Sequence, residues 1–221
     1  NIIRGLPGGM SENYDLKNFS SALANYQNIS PAELKDNLHN FLSQVVPRAE
    51  GAGVKLAIHP DDPPRKLLGL PRIVSTKYDL DELFSREPNP ANGLTLCVGS
   101  LGSRADNDVV SMAKHHASRT FFAHLRAVRI NRADNKSFFE ASHLDGDTNI
   151  IQILRIILNE EQRRRLDYDS SENEIFFRPD HGHQMMDDMA KTVNPGYSAI
   201  GRLKGLAELR GAIRALSEEI S

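Results

Sequence analysis

Four short apolar runs in this chain each lead to a residue that can bind a metal, and helix-forming stretches separate them. Residues 54–58 run into His59, Leu94-Thr95-Leu96 into Cys97, and residues 120–123 into His124. Ile175-Phe176-Phe177, which reads as a buried strand, leads on to Asp180. Alternating strands and helices imply a parallel sheet. In such folds chemistry is done at the C-terminal ends of the strands, as on the catalytic face of a (β/α)₈ barrel. A complete barrel takes about 250 residues. With four clear strands and one more expected near the start, the expectation for residues 1–221 is α/β, one domain. It forms the C-terminal half or so of a TIM barrel.

The helices between the runs carry their own signals. Ser30-Pro31-Ala32-Glu33 has a capping serine, a proline suited to the first turn and the glutamate of a capping box. The helix that follows places Leu34, Leu38, Phe41, Leu42 and Val45 on one face and should end near Gly51-Ala52-Gly53. Further helices are expected over 108–116, where His115 and His116 read as exposed, over 149–166, and over 199–219. The first thirty residues are polar, with a loop at Gly5-Leu6-Pro7-Gly8-Gly9.

Composition narrows the function classes. Apolar residues make up 39% of 221, enough for a core, and the mean hydropathy is -0.44. No apolar run approaches the roughly 20 residues that span a bilayer. The N-terminus has neither an h-region nor a cleavage site, and it lacks an initiator Met, as expected of a fragment or a processed product. A single cysteine fits a reducing cytoplasm. With a net charge of -2, and with Arg163-Arg164-Arg165 following Glu160-Glu161 as a solvated helix end would, nucleic acid is not the expected partner. No membrane partner is expected either.

Taken singly, each metal-type residue has an ordinary reading. A strand-end histidine is usually hydrogen-bonded, a lone cysteine is usually a small buried hydrophobe, and an aspartate can cap a turn. Their recurrence at equivalent places in four units favours a site. The gaps between them suit βα units of roughly 30 residues or more. Two imidazoles, a thiolate and a carboxylate from His59, Cys97, His124 and Asp180 suit Mn²⁺, Fe²⁺ or Zn²⁺. Beside them His181 is a natural proton donor or acceptor at neutral pH. Tyr197 has a free pKa near 10, so a nearby cation is needed before it can act as a base. Otherwise it packs in the Pro195-Gly196 turn.

Longer stretches resemble the mannonate dehydratase family. They are the run from Arg178 through Asp180-His181-Gly182-His183-Gln184 to Met185, the run from Asn194-Pro195-Gly196-Tyr197 to Leu206, and His59-Pro60-Asp61-Asp62-Pro63-Pro64. Leu68-Gly69-Leu70-Pro71-Arg72, Arg104-Ala105-Asp106-Asn107-Asp108 and His143-Leu144-Asp145-Gly146-Asp147 extend the likeness. The resemblance implies a barrel akin to xylose isomerase and a metal-dependent hydro-lyase, usually with Mn²⁺ (Fe²⁺ or another divalent metal being possible). Such an enzyme converts D-mannonate to 2-dehydro-3-deoxy-D-gluconate and water in hexuronate catabolism, with a homodimer as the plausible assembly. On this likeness His59, Cys97, His124 and Asp180 are metal ligands. Tyr197 is the base at C2 and His181 the acid at the C3 hydroxyl, two roles that could be exchanged. Arg104, Asn107 and His143 are candidates for holding the sugar acid, or else loop anchors. Family members carry a long N-terminal region that supplies the first barrel strands and that is absent from these residues. Alternatives are a sugar isomerase or epimerase on the same barrel, a metal-dependent nuclease, and an inactive truncated remnant.

Overall fold

The computed structural model describes residues 16–167 and 173–220; the glycine-rich loop expected at residues 5–9 lies outside them. The elements run α1 (Leu16–Ala24), α2 (Pro31–Gly51), β1 (Leu56–Ile58), α3 (Lys77–Arg86) and β2 (Asn92–Cys97). Then come α4 (Val98–Gly102), α5 (Val109–His115), β3 (Thr120–His124), β4 (Val128–Ile130), β5 (Phe138–Glu140), α6 (Ile150–Asp167), β6 (Phe176–Arg178) and α7 (Ala199–Ile220). Strands β1, β2, β3 and β6 form one parallel sheet in that order, and β4 and β5 form a separate antiparallel hairpin.

The start of α2 follows its sequence signal. Ser30 Oγ accepts from the Glu33 amide and Glu33 Oε2 accepts from the Ser30 amide, so two otherwise orphaned donors are satisfied reciprocally. Its buried face differs by one position from expectation. Leu42 and Val46 are buried, while Phe41 is 61% exposed. Helix α3 was not foreseen, although Thr76 and Asp79 make a second capping box at its start. Neither α1 nor the β4–β5 hairpin was anticipated.

Period-two alternation divides the strands cleanly. Leu56, Ile58, Leu94, Leu96, Ala123, Ile175 and Phe177 pack with Leu80 and Leu83 of α3, Met112 of α5, Ile153 and Ile157 of α6, and Leu209 of α7. The intervening residues point away from the helices. At the C-terminal edge that opposite face presents His59, Cys97, His124 and Arg178. Cys97 pairs in register with His124, and His124 with Arg178. The same alternation corrects one expectation. Of the run expected to be buried only Ile175, just before β6, is buried, and within β6 Phe176 is 63% exposed, because this strand has one neighbour among the described residues and helices cover only one of its faces.

Two more surface expectations are overturned. Arg164 is buried rather than solvated. It bonds buried Glu160 at 2.8 Å and donates to the carbonyls of Ala117 and Thr120, tying α6 to the entry of β3. His116 is also buried, its ring 5.6 Å from that of Phe84, although His115 beside it is exposed.

Candidate active site

Strand ends bring His59, Cys97 and His124 together. One potential ligand atom from each lies within 4.8 Å of the other two. The His59 and His124 rings are 5.0 Å apart. Nδ1 of His59 is 2.6 Å from the Pro60 carbonyl, which can only accept, so that nitrogen carries a proton. His124 Nδ1 is buried with no hydrogen-bond partner. Burial, opposed by Asp180, lowers its pKa to about 4 and keeps the ring neutral. Cys97 caps the short helix α4, its sulfur 3.0 Å from Ser100 Oγ, and burial pushes the thiol up to about 12.

Asp180 adjoins this cluster without joining the tight triangle. Its Oδ2 is 3.6 Å from His124 Nδ1, and Oδ1 is 2.9 Å from Arg178 Nη2. It is buried and its backbone sits at φ 65, a left-handed conformation that costs energy in a residue with a Cβ. That turn ends β6 and directs the carboxylate back toward the neighbouring strand end.

The donor set fits a divalent transition ion. A thiol and two imidazoles converge, the buried Nδ1 of His124 has no hydrogen-bond partner, and a carboxylate stands at the margin.

His181 and Tyr197 also come together, their rings 5.0 Å apart. The loop after β6 pairs with the one before α7 through the Gly182 amide and the Gly196 carbonyl at 2.9 Å. Gly196 is required twice over. Its φ is 83, and a Cβ there would lie 3.0 Å from His181 Nδ1. Asp188 fixes the start of α7 by accepting from Ser198 Oγ and the Ile200 amide.

A chain of charges behind His181 escaped the sequence reading. His181 Nδ1 is 2.9 Å from Glu140 Oε1. Arg126 grips both oxygens of Glu140 and reaches Asp62 at 2.7 Å. Burial works against ionising Glu140, but the bonds from His181 and Arg126 prevail and lower its pKa to about 2. Burial likewise opposes the charge on Arg126, and the two carboxylates more than offset it. An ionised carboxylate accepts, so His181 carries a proton on Nδ1, and its Nε2 stands 3.8 Å from Asp180 Oδ2. The available signal was the β4–β5 pattern, with Val128 facing Glu140 and Ile130 facing Phe138 across a polar turn.

Burial raises the pKa of Tyr197, with Asp180 adding to it. Arg178, Arg126 and Arg202 pull the other way and do not overcome it. Arg202 lies over the ring, 5.5 Å from its centre. Arg178, Asp180, Tyr197, Arg202, Leu203 and Leu206 line an open groove beside the site.

The three candidate substrate contacts are engaged elsewhere. Arg104 makes two bonds to Asp106, at 2.7 and 2.8 Å, and one to the Pro64 carbonyl. Asn107 donates to the carbonyls of Ser75 and Leu101. Buried His143 is 2.9 Å from the Pro179 carbonyl, bracing the loop that carries Asp180.

The family profile of D-mannonate dehydratase (UxuA) matches residues 1–221. The chain belongs to that family. It is 49% identical over 217 residues to the mannonate dehydratase of Chromohalobacter salexigens, covering 98% of this chain and 54% of that relative. Among solved structures, the mannonate dehydratase of Streptococcus suis serotype 2 superposes with a TM-score of 0.79 at 32% identity, covering 97% of this chain and 60% of that one. A xylose isomerase-like TIM barrel protein from Mycobacterium smegmatis, at 18% identity and a TM-score of 0.52 over 83% of this chain and 53% of that one, shares the fold. The architecture is thus part of a TIM barrel, as the strand pattern implied, and of the xylose isomerase-like type that the family resemblance implied. The chain spans about half the length of the curated relatives it matches.

Proposed function

We propose that residues 1–221 form one domain carrying the chemistry-bearing part of a D-mannonate dehydratase. The observation that supports this most directly is the convergence of His59, Cys97 and His124, with a buried unpartnered nitrogen, beside His181 and Tyr197 in a chain of this family. The reaction removes a proton from C2 and hydroxide from C3 of D-mannonate, giving an enol that tautomerises to 2-dehydro-3-deoxy-D-gluconate, with one water released.

His59, Cys97, His124 and Asp180 hold the metal, Mn²⁺ by preference with Fe²⁺ as the next candidate. When bound, the ion supplies Lewis-acid stabilisation of charge on the substrate carboxylate. The partners in the structure favour exchanging the two proton roles from those first assigned. His181, oriented by ionised Glu140, offers Nε2 as the base for the C2 proton. Tyr197, kept as a phenol by burial, donates its proton to the departing C3 hydroxyl. Arg178 and Arg202 flank the groove and are the cations we assign to the sugar acid. Arg104, Asn107 and His143 act on it only through the loops they brace.

The setting we infer is hexuronate catabolism in the cytoplasm, in a homodimer, with no nucleic-acid or membrane partner. Among the described residues no helix is long and apolar enough to cross a membrane.

Incubating the chain with D-mannonate and Mn²⁺, against an EDTA control, should yield the 2-keto-3-deoxy acid. Absence of product in both arms would favour the inactive-remnant reading. Deuterium exchange at C2 assigns the two roles. Tyr197→Phe should still wash deuterium into C2 without dehydration, and His181→Asn should not. The opposite pattern would restore Tyr197 as the base.

A further inference from the structure

A second cluster of metal-type donors lies away from the active site. Asp81 projects from α3, while His115 and His116 close the C-terminal end of α5. Helix α5 returns the chain between parallel strands β2 and β3, so its end lies at the sheet edge opposite the strand ends described above. Asp81 Oδ1 is 3.1 Å from His115 Nε2 and 3.4 Å from His116 Nε2. One ligand atom from each of the three lies within 4.8 Å of the others.

Two observations separate this cluster from an ordinary surface ion pair. His116 is 4% exposed, and its Nε2 is buried without a hydrogen-bond partner while facing the Asp81 carboxylate. A polar atom in that position normally has a partner. The two distances from Asp81 Oδ1 are also those between ligands of one ion. Ligands about 2.1 Å from a tetrahedral zinc stand roughly 3.4 Å from one another. Lys77 binds Asp81 through the other oxygen, Oδ2, at 2.7 Å and leaves Oδ1 to the two imidazoles. The rings meet edge to face at 4.7 Å, and the Phe84 ring flanks His116.

We propose that Asp81, His115 and His116 form a second divalent-metal site, suited to Zn²⁺ and joining α3 to α5. Two imidazoles and one carboxylate match a borderline ion, and exposed His115 leaves a fourth position open to solvent. The site is independent of the catalytic reading, since it shares no ligand with it. Burial keeps the His116 ring neutral at ordinary pH, as ligation requires.

Co²⁺ is the probe, because cobalt bound to Cys97 gives a thiolate charge-transfer band and cobalt at Asp81, His115 and His116 does not. The wild-type chain should retain two equivalents of Co²⁺ through desalting. His115→Gln, at an exposed position, should retain one with the thiolate band intact, and Asp81→Asn on the other helix should behave in the same way. Equal stoichiometry in wild type and either variant would overturn the site. Loss of the thiolate band together with the equivalent would also overturn it, because the missing ion would then be the one at Cys97.

Discussion

The two halves of the proposed active site solve opposite problems. Around His59, Cys97 and His124 the donors converge and one buried nitrogen goes unpartnered, an arrangement costly for a protein by itself. Around His181 each charge has a partner, from His181 to Glu140, from Glu140 to Arg126 and from Arg126 to Asp62. The donors of the first half fit a metal ion. The second is complete, and its completeness keeps a proton on Nδ1 of His181.

Breaking the first half should cost function without stability. His124→Gln, which keeps most of the volume of the buried side chain while removing Nδ1, is expected to lose the ion at Cys97 and to lower turnover about 10³-fold, the equivalent of several kcal/mol of Lewis-acid stabilisation. The urea midpoint should hardly move, because the deleted nitrogen had no hydrogen bond to lose. A large fall in that midpoint would show that His124 is structural. Asp180→Ala should likewise abolish metal binding. Tyr197→Phe should keep the full metal complement and lose roughly 10²–10⁴-fold in rate, the range for one acid–base group.

Breaking the second half should cost both. Glu140→Gln is expected to slow turnover roughly 10–100-fold by releasing His181 from its orienting partner. It should also change acid sensitivity. The carboxyl of Glu140 is lowered from 4.5 to about 2 in the fold, so its contribution is present above pH 4.5 and is lost as pH falls through 2. Allowing for its partial exposure, that contribution is on the order of 2 kcal/mol. Urea midpoints measured between pH 5 and 2 should therefore fall less steeply in the variant than in the wild type. Equal slopes would show that Glu140 is not held as the structure has it.

The smallest effect separates a loop brace from a substrate contact. Asn107→Ala leaves two carbonyls unbonded and should cost about 1–2 kcal/mol of stability. KM for D-mannonate should change less than twofold. A tenfold rise would return Asn107 to the binding site.

Much of this could be read along the chain because strands alternate and helices announce their starts. Ser30 and Glu33 fixed the beginning of α2, and the recurrence of a donor after each apolar run pointed to the strand ends that converge. The metal-type residues and the His181–Tyr197 pair were therefore legible, although a linear pattern could not show which nitrogen lacked a partner. Phe41, Phe176 and His116 were misjudged because side-chain type does not say which face a neighbour covers. Glu140 is 41 positions from His181, and Asp81 is distant in the chain from the two histidines it faces. Short-range pattern carries no information on such pairs. The sequence by itself determined the four parallel strands, the capped start of α2 and the chemical character of the strand ends. Only the tertiary structure decided which charges meet, because burial and partner distance depend on how the helices return the chain across the sheet.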